Sequence, residues 1–142
     1  MDKLEECLKE KKLKKVPIDK RIAEKEWTKA ERCTRSAETA LANKDWEWLS
    51  TQSYYSCFHA SKAMVLLKGF QEKSHYCLAI ALDALYAKTS EFPPSLVDTF
   101  AYLRKTREIA TYETDEISEE SAKAALSEAK NFLEHAKKII LR

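Results

Sequence analysis

Apolar positions recur along the chain at spacings of three and four residues, the period of an α-helix packed on one face. The clearest run is Ala23, Trp27, Ala30, Thr34, Ala37, Leu41. It predicts a helix from about Asp19, an acceptor suited to the N-cap, to about Asn43. Trp46 to Phe70 follows after a short turn, so these two helices are expected to be antiparallel neighbours. This second stretch has two apolar sides. One is Trp46, Leu49, Ser53, Cys57, Ala60, Met64, Leu67; the other is Trp48, Tyr55, His59, Leu66. A helix apolar on two sides is expected to be packed on both. It stops at Gly69, the chain's only glycine, which supplies a left-handed residue at little steric cost.

The same pattern predicts a short helix over residues 3–13, broken by Val16-Pro17. Another is expected from the Ser74 cap to about Ala87. A fifth begins at Ser95, with Asp98 completing a cap, and carries Leu96, Phe100, Leu103, Arg107, Ala110. The segment from Tyr112 to Ile117 reads as acidic and irregular. A last helix starts at Ser118, with the stripe Ala122, Ala125, Ala129, Phe132, Ala136, Ile139 or Ile140. The expected fold is all-α: an up-and-down four-helix bundle with additional short helices. Residues 1–17 form a short helix and basic turn, and 18–142 form the bundle.

Composition supports this. One glycine and three prolines leave few turns for a sheet, and 142 residues suffice for one core. Charged residues make up 34% of the chain, yet the net charge is only +2, which argues against bulk attraction to nucleic acid or membrane. The basic run Lys9 to Lys15 reads as a solvated turn. Cys7, Cys33, Cys57 and Cys77 lack metal-ligand spacing and read as reduced thiols of a cytoplasmic protein. No apolar run spans a bilayer. Neither a cofactor nor a metal is expected, since there is no Gly-rich phosphate loop and no His or Cys pair at ligand spacing.

Arg107 is the sharpest single residue. An arginine on a core stripe must either pair with a carboxylate or line a wet cleft that takes a phosphate. Arg104, one turn earlier, is a further binding candidate. His59 lies on the second apolar side of its helix. His75, beside Lys73 and Ser74, opens the next helix, where free N–H groups favour an anion. Cys57 and His59, two apart on a helix, do not face each other as a nucleophilic pair. His135 reads as surface.

The pattern SYYSCFHASKAMVLLKGF, then EKSHY, then Arg107 to Tyr112 and EESAKAALSEAKNFLEHA, resembles the HEPN superfamily of small prokaryotic proteins. The resemblance covers about Arg21 to Ile140. It implies a two-fold dimer, a minimal nucleotidyltransferase partner in a toxin–antitoxin-like pair, and in many members a metal-independent ribonuclease. That activity uses Arg, four to six residues, then His. Arg107 matches the arginine, but the residue five further on is Tyr112. Tyrosine, with a pKa of about 10, is a poor base near neutral pH. The expectation is therefore a dimer that binds nucleotide or RNA phosphate through Arg107 and Tyr112. One alternative is a ribonuclease that recruits His59 or His75 across the dimer; a further one is a non-catalytic adaptor.

Overall fold

In the computed structural model, residues 2–112 and 116–142 are described, apart from the side chain of Tyr112. The elements are α1 (Lys3–Lys9), β1 (Leu13–Lys15), α2 (Lys20–Ala42), α3 (Trp46–Leu67), β2 (Phe70–Glu72), α4 (His75–Leu82), α5 (Pro94–Tyr112) and α6 (Glu119–Ile140). A wide π-helical turn, Asp83–Ala87, extends α4. The protein is all-α in class, an up-and-down bundle of α2, α3, α5 and α6. Central α3 packs on the other three, most extensively on α2.

The helix starts follow the local chemistry. The side chains of Asp19, Ser74 and Ser118 accept hydrogen bonds from the N–H groups of Arg21, Cys77 and Ser121. Asp45 does the same for Trp48 at the start of α3. At the other end of α3, Gly69 has φ +83°, and a Cβ there would sit 3.3 Å from the Val16 carbonyl oxygen. The α6 stripe is buried, as is the α2 stripe except for the half-buried Thr34 and Leu41, and their alanines let α3 come close.

Several boundaries differ from the sequence expectation. Helix α1 ends at Lys9, because Lys11 turns left-handed at φ 59° and the chain then extends. Leu13, 1% exposed, anchors β1, which pairs antiparallel with β2 (Leu13 opposite Glu72, Lys15 opposite Phe70). The basic run is thus half strand rather than only a solvated turn. Helix α5 starts at Pro94, where the missing N–H costs nothing, so Ser95 lies inside it instead of capping it. Tyr112 is its last helical residue. The expectation of four reduced thiols is corrected: Cys7 and Cys77, each 2% exposed, form a disulfide that ties α1 to α4, while Cys33 and Cys57 are free. Their separation of 70 residues leaves no spacing signal.

The second side of α3 also needs redrawing. Trp48 is 48% exposed, its indole N–H donating to Ser36 on α2, and Tyr55, His59 and Leu66 are only half-buried. The second buried row is Tyr54, Phe58, Ser61, Val65, roughly one residue round the helix. It faces α4 and α5, leaving the predicted row at the edge of that packing, partly open to solvent.

Candidate functional site

Tyr55 is the hub of a half-buried cluster of side chains. With His59 and Lys62 at spacings of four and three, α3 presents all three on one face. Helix α5 brings Arg104 and Arg107, the first residue of α4 brings His75, and α2 brings Glu26. The ring centroids of His59 and His75 lie 6.4 and 6.5 Å from that of Tyr55. The Arg107 guanidinium carbon is 5.7 Å from the Tyr55 centroid and 5.3 Å from that of Tyr54, within cation–π range. Its Nη1 also donates to the Tyr55 hydroxyl at 3.4 Å.

Each imidazole is fixed by a partner of its own. His75 stacks on Phe58 with centroids 4.4 Å apart, and its Nδ1 shares a hydrogen bond with the buried Tyr54 hydroxyl. Burial disfavours the charged His75 ring, and the nearby Arg104 and Arg107 charges add to this, so its pKa falls below the ordinary value. Burial pushes the Tyr54 phenol upward, so it keeps its proton. His59 Nδ1 lies 2.7 Å from Glu26 Oε2 and donates to it. Burial would raise the Glu26 pKa, but the His59 hydrogen bond and the Lys62 and Lys29 ammonium groups outweigh it and bring it down to about 2. Lys62 stands 3.9 Å from both Glu26 and Glu72. Burial raises the pKa of Glu72.

Four of the residues expected from sequence, His59, His75, Arg104 and Arg107, thus gather around Tyr54 and Tyr55. Arg104 also reaches Glu108 at 3.4 Å. Lys73 is exposed at the end of the ribbon, its N–H donating to the Lys12 carbonyl. The Tyr112 side chain lies outside the described residues. His135 bonds the Asn131 carbonyl on α6. Cys57 is fully buried, and burial raises its thiol pKa strongly, which removes its thiolate near neutral pH. Among the described residues, no three His, Cys, Asp or Glu side chains converge as a metal site. Sequence reasoning missed Glu26, Tyr54, Phe58 and Lys62. Only Glu26 had a readable signal, since it stands three residues after Ala23 and four before Ala30, on the buried side of α2.

A HEPN domain profile matches residues 23–139, a span that includes every residue of this cluster. The chain belongs to the HEPN domain family. This HEPN chain is also similar to a protein of Methanocaldococcus jannaschii named "Putative toxin MJ0605". They are 29% identical over 114 residues, which cover 78% of this chain and 83% of that protein. The family accounts for the helical bundle around α3. The chemistry of the Tyr55 cluster in this HEPN member follows from its own side chains.

Proposed function

We propose that this HEPN protein is a toxin-like component that binds the phosphates of RNA or a nucleotide at the cluster around Tyr55. The observation that carries this is Arg107 lying over the Tyr54 and Tyr55 rings, with Arg104 one turn away and two imidazoles on the same hub. A guanidinium beside aromatic faces suits a phosphate with a neighbouring base: the planar fork takes two oxygens, and a base stacks on a ring. Kinship to a protein named as a toxin supports the toxin-like part. The family likeness supports the rest of the reading: a cytoplasmic homodimer with a minimal nucleotidyltransferase as its partner. Among the described residues, no helix is long and apolar enough to cross a membrane.

The test is direct. Fluorescence anisotropy with a short single-stranded RNA, alongside a nucleoside triphosphate competitor, should give saturable binding. Arg107→Ala should weaken it by about 10- to 100-fold, as expected when a charged hydrogen-bond partner is lost. Equal affinity for the variant would leave the adaptor reading in place. Light scattering at micromolar concentration should return twice the chain mass; a monomer would remove the dimer from this reading.

The ribonuclease reading gains one specific observation. His59 and His75 sit on the same protomer as Arg107, so no second copy is needed to bring an imidazole to it.

A further inference from the structure

We infer that α1 is a latch closed by the Cys7–Cys77 disulfide: reduction by a dithiol frees α1, loosens the first turn of α4 and weakens phosphate binding at the Tyr55 cluster. This rests on the phosphate-binding reading above and adds its regulation. The latch is particular to this chain, because α1 lies outside the matched HEPN span of residues 23–139.

Without the cross-link, little holds α1 in place. It has 7 residues, well short of the length at which a helix stands alone in water. Cys7 is its one buried residue, and Leu4 and Leu8 are half-buried. A cavity of about 580 Å³ opens between its first residues and Ile80, Asp83 and Ala84, so this end of α1 is not close-packed on α4. Just past α1, Lys11 has φ 59°, a left-handed conformation that is costly for a lysine and relaxes when α1 swings away. The ribbon is secured separately. Leu13 is buried, the Lys12 carbonyl accepts from the Lys73 N–H, and the Val16 N–H donates to Gly69. The hinge therefore falls at Glu10 and Lys11, and α1 has two states, docked or undocked, beside a fixed ribbon.

The far end of the bond reaches the cluster through direct contacts. Cys77 sits in the first turn of α4, and its N–H donates to the Ser74 cap. His75 in the same turn stacks on Phe58 with centroids 4.4 Å apart and shares a hydrogen bond with the Tyr54 hydroxyl. The Tyr54 ring in turn lies under the Arg107 guanidinium, whose carbon is 5.3 Å from the ring centroid. Movement of this turn thus disturbs the seat of the cation that takes the phosphate. Both cysteines are 2% exposed, so a reductant reaches the bond when α1 opens locally. One thiolate of the dithiol attacks a protein sulfur, and the other protein sulfur leaves and takes a proton. The second thiolate then closes on its own partner sulfur and releases the remaining cysteine. The dithiol ends as a cyclic disulfide, and the protein gains two electrons and two protons.

The experiment compares the full chain, oxidised and after reduction by dithiothreitol, in fluorescence anisotropy with a short single-stranded RNA. Reduction should weaken binding by about 10-fold, within the usual range for coupled sites, and reoxidation should restore it. Coupling is reciprocal, so RNA that saturates both forms should make the bond harder to reduce. Its potential in dithiothreitol buffers should fall by about 30 mV, the two-electron equivalent of 10-fold. Amide hydrogen exchange should quicken in α1 and the first turn of α4 on reduction and stay unchanged in α6. Cys7→Ser should bind as reduced wild type does and ignore dithiothreitol, while Cys33→Ser, which removes a free thiol of α2, should keep the full response. Equal affinity in both redox states, or a response that survives Cys7→Ser, overturns the latch. A reduced chain without a cooperative melt also overturns it, because the bond then holds the whole fold rather than α1. Oxidised wild type that binds no RNA overturns the phosphate-binding reading instead. Unchanged exchange in α1 on reduction overturns the latch whatever the binding.

Discussion

A carboxylate 8% exposed and still ionised needs cationic partners, and Glu26 has His59, Lys29 and Lys62. Its pKa of about 2 against an ordinary 4.5 makes it a stability element with a defined pH window. A carboxyl depressed in the folded state adds stability above its unfolded pKa and loses it as pH falls through the folded one. The loss should therefore run from about pH 5 to pH 2 and reach up to about 3 kcal/mol. Glu72, raised by burial, works in the opposite sense and makes the net slope shallower. Glu26→Gln should flatten this acid limb in urea unfolding at pH 7, 5 and 3; an unchanged slope would show that the acid sensitivity lies elsewhere. Arg107 was legible from sequence because a charge on a core stripe stands out. Tyr54 was not, because its partner His75 lies 21 residues away and only packing joins them.

At the scale of elements, the Cys7–Cys77 bond anchors the N-terminal end of α4, two residues after His75. Ser74 caps the same turn by accepting from the Cys77 N–H at 3.0 Å. The bond closes a loop of 70 residues, for which the denatured-state entropy model gives about 4 kcal/mol, with 2–4 kcal/mol typical. Cys77→Ser should lower the stability from urea unfolding by about that amount, and dithiothreitol should do the same to wild type. It should also broaden or shift the His75 ring signals in proton NMR while leaving those of His135 on α6 in place. A variant as stable as wild type would show that the ribbon and the α1 packing hold this corner unaided. The long helices were legible because burial of one face forces a 3.6-residue period. The ribbon was not: three-residue strands separated by 54 residues of chain show no period, and pairing selects them only after α2 and α3 have turned the chain back. The faces of α3 were half legible, since two neighbouring rows, Tyr54–Phe58 and Tyr55–His59, differ by one residue.

For the molecule as a whole, charge decides how far the cluster must act alone. Lys and Arg total 25 against 23 Asp and Glu, and they intermix along α2 and α6, so no strong net field draws a polyanion from a distance. Binding of RNA must then come from the few cations around Tyr55: Arg104, Arg107 and Lys62. Three phosphate contacts on a single strand predict a slope of log affinity against log salt of about −2, from about −0.7 per contact. Arg107→Ala should bring it to about −1.4. The basic run of α1 and β1 offers the competing surface, with Lys9, Lys11, Lys12, Lys14 and Lys15 all exposed. If that run held the strand, the slope would be near −3.5, and Arg107→Ala would leave it unchanged while charge reversal at Lys14 and Lys15 would not. Titrations at four salt concentrations on these two variants therefore locate the phosphate path without any assumption about cleavage. A slope of −3.5 insensitive to Arg107 would move the function away from the cluster.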